Sequence, residues 1–474
     1  MLLDEPTNVE GSAATVTPID RARQKRKAPR TSELTELEMS EQLVEKFGGE
    51  LRYCAAFGGW HRWTGTHWES DEVEHARECV KVIARELAGE AVALLDRDKF
   101  NAAKRAGSAR GVAAILDLAR SAPDIVFSSA QADRDPWLLN VQNGTLDLRN
   151  GLLRPHAKAD LITKACPVAY DPQAMAPTFE RFLREVQPDP EVRAYLGRLF
   201  GYSAIGIVRE HVIAVLWGPG ANGKSVLADA VTFVFGGYAK PGPSSLIVSS
   251  GYDPHPCDTA SLVSSRLVVV HETKRGASFD ASKIKLLTGG DKLTARRMRQ
   301  DYFTFEPTHT LVMLSNYRPS ADATDAALWR RVQLVPFDVT IPEEDRDPNL
   351  SHALRAEGPG ILRWLVDGAL EYQCMGLAPP AIVREQTEKY RAAEDTIGAF
   401  LEERTVKLSR ASVKAGLLYK SFTQWCDDNG RKACNGNDFG AELKGRGFDK
   451  VKHASGYVYP GLGLHAAEHE EGER

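Results

Sequence analysis

The string GPGANGKS at residues 218–225 limits what this chain can fold into more than any other stretch. It fits G-x-x-x-x-G-K-[ST]. In that pattern the N–H groups of a glycine-rich turn close around phosphates, a lysine adds charge, and a hydroxyl can reach a magnesium ion. The chemistry requires a strand running into the turn and a helix leaving it. Before the turn, HVIAVLW reads as a short buried strand; after it, KSVLADAVTFVFG reads as a helix. These features predict an α/β core. They also predict a nucleotide site made by Gly218, Pro219, Gly220, Ala221, Asn222, Gly223, Lys224, Ser225 and Val226, with ATP and Mg²⁺ as cofactors.

Two more segments, RLVVVHE and HTLVMLSN, are apolar almost throughout, as expected for strands of a parallel sheet covered on both faces. Hydrolysis needs a carboxylate at a neighbouring strand end, to order the metal and polarise the attacking water. Glu272, which ends RLVVVHE, is the candidate for that role and, with Ser225, for the metal. Asn316 ends HTLVMLSN and suits a γ-phosphate sensor. Between and beyond these strands come Lys285 at a helix end before LLTGGD, then LTARRMRQDYFTF. The latter reads as a strand-turn-strand with Arg296, Arg297 and Arg299 at a basic tip. Arg330 and Arg331 precede a further apolar strand.

A chain of 474 residues implies several domains. Residues 1–40 read as a disordered tail with the basic run RARQKRKAPR, and residues 465–474 as an acidic one. Residues 41–205 alternate helices and short strands, an α+β pattern. There EVEHARECVKVIARELAGEAVALL has helical spacing, with Val80, Ile83, Leu87 and Val92 toward one side. GGWHRWTGTHWES and NVQNGTLDLRNGLLRPH read as hairpins, the second with Asn143-Gly144 and Asn150-Gly151 turns. Trp60, Trp63 and Trp68 suit packing of a small sheet better than a base-stacking platform. The α/β core occupies 206–395, and 396–464 ends in a strand-turn-strand, GRGFDKVKHASGYVYPGL. No run of about 18 apolar residues occurs, which points to a cytoplasmic protein with no membrane partner. The net charge of −4 means that any nucleic-acid surface is local.

In GPGANGKS, RLVVVHET, IKLLTGGDKLTARR, LVMLSN and WRRVQLVPF the chain resembles superfamily 3 helicases, more narrowly the primase-helicases of phages, plasmids and poxviruses. LLNVQNGTLDL and ACPVAYDPQAMAPTFERFL resemble the domain preceding that helicase. LLYKSFTQWCDDNG and FGAELKGRGF resemble a C-terminal winged helix, and the likeness runs over about residues 45–464. It implies an AAA+ core with a parallel sheet, a homo-hexameric ring, and a DNA helicase acting 3′ to 5′ on single-stranded and forked DNA. The setting would be replication of a mobile element in a bacterial host. It also implies that Arg331, or else Arg330, completes a neighbour's ATP site, and that the hairpin arginines with Lys285 grip DNA. Lys444, Arg446, Lys450 and Lys452 would serve the winged helix. The usual second acid at the metal-binding strand end is replaced by His271 before Glu272. No paired aspartates precede the first domain, so priming is expected from a separate primase. Two other classes remain: an ATP-regulated origin-binding protein without processive unwinding, and a small-molecule kinase, against which the basic hairpin argues.

Overall fold

The computed structural model describes residues 34–249, 256–271, 275–296, 298, 301–454 and 456–465. Glu272, Arg297, Arg299, residues 1–33 of the basic tail and residues 466–474 of the acidic one lie outside the described residues. Residues up to 62 with 70–127 form one compact unit, and 63–69 with 128–474 form another.

In the first unit a helix over Glu36–Phe47 begins inside the stretch read as a tail. Thr35 caps it, taking the Glu38 N–H while Glu38 reaches back to the Thr35 N–H, a reciprocal capping box. The expected amphipathic helix spans His75–Ala93 and buries Val80, Ile83 and Leu87. Val92 does not share that face: it is 62% exposed, and Ala91 takes the inward place. Asp96 and Ser108 then cap two further helices, Arg97–Ala106 and Ala109–Ala119, which close over Met39, Leu43, Leu51 and Ile125.

The second unit is built on a five-stranded sheet, a two-stranded hairpin and the helices between them. In chain order these are β1 (Ile213–Trp217), α1 (Lys224–Phe235), β2 (Ala239–Gly242), β3 (Leu267–His271), α2 (Ala281–Thr288), β4 (Leu293–Arg296), β5 (Tyr302–Phe305), β6 (Thr310–Ser315), α3 (Ala326–Trp329) and β7 (Val332–Pro336). The order across the main sheet is β7-β1-β6-β3-β2, and every pairing is parallel. Alternation along each strand divides the residues between two cores. Ile213, Val215, Val268, Val270, Leu311 and Met313 meet Ile284 and Leu287 of α2. Ala214, Leu216, Val269, Val312 and Leu314 meet Leu227, Val231 and Val234 of α1. Each strand is therefore apolar on both sides, the pattern read from the sequence.

Residues 128–205, grouped with the preceding segment in the sequence reading, pack instead with this sheet. Phe179, Phe182, Val186, Tyr195, Leu196 and Phe200 share a core with Leu216, Val231 and Val335. Gln187 Nε2 donates to the Pro336 carbonyl at 2.7 Å, which fastens these helices to the edge strand β7. The meander over 138–154 pairs as an antiparallel sheet, with Gln142-Asn143 forming its first turn and Gly144 already in the strand. Trp68 is fully buried and donates Nε1–H to the Lys158 carbonyl at 3.0 Å, a packing role.

The last segment holds helices Thr396–Arg404, Ala415–Asp428 and Gly436–Gly445 around Phe400, Phe422, Trp425 and Phe439. A three-stranded antiparallel sheet joins Thr405–Lys414, Gly456–Leu464 and Val451–His453. The hairpin of the second pair matches the sequence reading; the strand Thr405–Lys414 was not foreseen, because TVKLSRASVK is too polar to mark it. No helix among the described residues is long and apolar enough to cross a membrane.

Candidate active site

Parallel strands that all point one way bring their carboxyl ends to one edge, where β1 runs into the GPGANGKS turn and β6 ends at Asn316. Placing β6 between β1 and β3 sets Asn316 beside the turn. Ser315 is in register with Trp217, and the Ser315 carbonyl accepts the Gly218 N–H at 3.3 Å.

The turn is clamped from two sides. A Cβ on Gly218 would come within 2.0 Å of the Phe337 carbonyl oxygen, so only glycine fits that approach. Asn222 Nδ2 donates to that carbonyl at 2.9 Å, and Ile341 N–H donates to Ala221 at 2.8 Å. Underneath, Val186 and Phe182 leave no room for a side chain at Gly223. Gly220 faces open space instead, with nothing within 4 Å of a Cβ built there. The turn is thus rigid below and accessible above.

Lys224, at the start of α1, is a buried and heavily bonded charge. Its Nζ lies 2.7 Å from the Gly218 carbonyl, 3.1 Å from Pro219, 2.9 Å from Asn222 Oδ1 and 3.1 Å from Asn316 Oδ1. Four acceptors crowd an ammonium that has three hydrogens. All four are neutral, and burial outweighs them, holding the Lys224 ammonium down at about 8. Ser225, one residue on, is exposed at the first turn of α1, where its hydroxyl can meet a metal ion.

One residue beside this site escaped the sequence reading. Arg318 lays its guanidinium 3.9 Å from the centre of the Trp217 ring, directly before the phosphate turn, and its buried Nε has no hydrogen-bond partner. The available signal was an aromatic just before the turn and an arginine two residues past Asn316.

The two adjacent arginines have opposite environments. Arg331 is buried: its Nε donates to Thr288 Oγ1 at 3.1 Å and its Nη1 to the Ala327 carbonyl at 2.7 Å. Burial, then the neighbouring Arg330 charge, lowers its pKa. Arg331 is therefore engaged within its own chain, unlike the free side chain its expected role would use. Arg330 is exposed and has no side-chain partner among the described residues.

Lys285 also differs from expectation. It pairs with Asp325 at 2.6 Å, and Asp325 also caps α3 through the Leu328 N–H at 3.0 Å. Burial alone would raise the Asp325 carboxyl, but the Lys285 and N–H bonds together hold it low. The lysine ties the helix end to the loop ahead of Arg330, so its charge is already paired within the chain. Of the hairpin residues, β4 and β5 pair from Leu293↔Phe305 to Arg296↔Tyr302. Leu293 and Ala295 point inward and Arg296 outward, 5.4 Å over the Tyr302 ring. In the last segment Lys444, Lys450 and Lys452 are exposed. Arg446 is not available: it forms a two-pronged pair with Asp395 at 2.6 and 2.9 Å, buttressing the helix that Asp395 caps.

A buried lysine, a glycine turn between strand and helix, and a polar side chain at the end of the adjoining strand of an all-parallel sheet define a P-loop core. Residues 40–188 match the family described as D5 N terminal like, and residues 216–331 match a family of unknown function. A protein of Acanthamoeba polyphaga mimivirus, provisionally named a helicase, is 26% identical over 332 residues, 64% of this chain and 34% of that protein. A provisionally named primase of African swine fever virus is 27% identical over 328 residues, 63% of this chain and 34% of its own length. The chain is thus similar to D5-type helicase and primase proteins of large DNA viruses, and it spans about a third (34%) of the length of the curated relatives it matches. Among solved structures, the apo C terminal region of NrS-1 covers 75% of this chain and 89% of its own at 11% identity, with a TM-score of 0.43.

Proposed function

We propose that this chain is the ATP-hydrolysing motor of a replicative DNA helicase, translocating on single-stranded DNA as a homo-hexameric ring with 3′ to 5′ polarity. The observation that carries the reading is the Lys224–Asn316 contact at 3.1 Å, which joins the phosphate turn to the end of β6. When nucleotide enters, its phosphates replace the carbonyls around Lys224. Asn316 is then released to hold the γ-phosphate, so occupancy is reported along β6. The turn N–H groups and Lys224 bind the phosphates, Ser225 would hold Mg²⁺, and Glu272 orients the attacking water. A Mg²⁺ held at Ser225 would supply positive charge to the phosphates.

Arg330 is the arginine that acts on the neighbouring subunit, since it is the exposed member of the pair. A guanidinium there stabilises charge on the transferring phosphoryl group by on the order of 10³–10⁵ in rate. The β4–β5 hairpin, with Arg296, Arg297 and Arg299, grips the strand by its phosphates, which suits a motor indifferent to sequence. The last segment acts as a winged helix, with Lys444, Lys450 and Lys452 on the DNA backbone. A separate chain, or another part of a longer protein, would supply primase activity.

The test is a forked-duplex displacement assay, with the mass of the chain measured with and without ATP and DNA. ATP-dependent strand displacement by a ring is expected. DNA-stimulated hydrolysis without displacement would instead favour an origin-binding ATPase, and a monomer under all conditions would end the assignment of Arg330 to a neighbour's site.

A further inference from the structure

The first unit carries a cleft of about 750 Å³ that none of the assigned motifs touches. Its lining includes Asn101, Lys104 and Arg105 from helix Arg97–Ala106, Ser108 and Arg110 from the turn into Ala109–Ala119, and Glu36. We propose that this cleft binds the phosphodiester backbone of DNA.

Three cations come from the seven-residue stretch KRAGSAR, residues 104–110. Packing forces them to one mouth. A Cβ on Gly111 would lie 2.1 Å from the Arg105 carbonyl oxygen, so the two helices meet backbone to backbone and the arginines flank a shared opening. Ser108 Oγ accepts the Gly111 N–H at 3.0 Å, so the positive end of the second helix adds to the same field. Elsewhere on the first of these helices charge is balanced, as where Lys99 meets Glu90 at 2.6 Å. Lys104 and Arg110, both exposed, have no carboxylate within ion-pair reach among the described residues, and Glu36 is the one acid in the lining. Like charges gathered in a concave wall raise the local potential and favour a polyanion.

The lining also selects among anions. It has no aromatic ring and no large apolar side chain, so it offers nothing on which a base could stack. A contact limited to phosphates holds any sequence, and it positions a strand without reading it. The inference rests on the proposed DNA-dependent activity but concerns residues that activity does not use.

The experiment uses the full chain and a fluorescein-labelled oligo-dT, titrated by anisotropy from low to moderate salt, with a duplex of equal length alongside. Replacing Lys104 and Arg110 together by alanine should lower the slope of log affinity against log salt by about 1.4, at ~0.7 per phosphate contact on a single strand. Affinity should fall on the order of tenfold or more. DNA-free ATP hydrolysis should be unchanged. The charge-retaining pair K104R and R110K should restore the slope, and E36Q, which leaves both cations in place, should tighten binding a few-fold. Unchanged affinity and slope in the alanine variant would overturn the proposal, as would E36Q without effect. So would loss of inorganic phosphate binding alone with oligonucleotide binding intact. A wild-type chain that binds no DNA would sink the functional reading as well, whereas binding without unwinding would sink that reading only.

Discussion

Raising the pH from 7 to 9 should release nucleotide, because it discharges Lys224 while the phosphates keep their charge. Burial among four neutral oxygens holds this ammonium at about 8 in the free protein. Bound phosphates would return it to at least its ordinary value of about 10.4. The free site is then roughly 90% charged at pH 7 and roughly 10% charged at pH 9, so apparent affinity should fall about tenfold, or ~1.4 kcal/mol. At pH 8 each binding event should take up about half a proton. The sign for the fold is opposite. The unfolded chain holds the extra proton between about pH 8 and 10.4, so the free protein gains stability as pH rises through that window. Calorimetry with an ATP analogue that resists hydrolysis, in two buffers of different ionisation enthalpy, measures both quantities. Lys224→Arg stays charged throughout, so whatever affinity it retains should not change over this range. A wild-type affinity that is flat from pH 7 to 9, with no buffer-dependent heat, would refute the reasoning about burial.

Arg330→Ala should keep nucleotide affinity and lose on the order of 10³ in hydrolysis rate. Mixing it with Lys224→Ala subunits should restore part of the rate, because each variant keeps the half-site the other lacks. Arg331→Ala should instead destabilise the fold by about 2–4 kcal/mol, as buried hydrogen bonds to a charged group are lost, and thermal melting reads this directly. Gly218→Ala should abolish binding, since its methyl would meet the Phe337 carbonyl at 2.0 Å; equilibrium dialysis with labelled nucleotide checks it. Asn316→Ala should bind nucleotide but hydrolyse it roughly 10²-fold more slowly if the side chain contacts the transition state.

Much of the core was legible because its signals are local. A glycine-lysine-serine turn between an apolar strand and a helix can be read from a dozen residues, and two-sided apolar strands announce a covered parallel sheet. The basic hairpin was legible for the same reason, since alternation placed Leu293 and Ala295 on one side and Arg296 on the other. The availability of a charge was not legible. Lys285, Arg331 and Arg446 looked as free in the sequence as Arg330 and Lys450, and only folding supplied Asp325, Thr288 and Asp395 as their partners. Those partners lie 40, 43 and 51 residues away along the chain. The packing of 177–205 was hidden for the same reason, since these helices show apolar faces but not which core will cover them.

The sequence by itself determined the chemistry on offer: a phosphate-holding turn, a lysine, a hydroxyl, a sensor amide and a surplus of arginines. The tertiary structure decided which of these are free to act. Strand order put β6 between β1 and β3, and so brought Asn316 to Lys224. Packing buried Arg331 and left Arg330 outside. The reason is physical: a side chain's covalent character is fixed by its identity, whereas its hydration and ion-pair partners are set by groups that only the folded chain brings within a few ångströms.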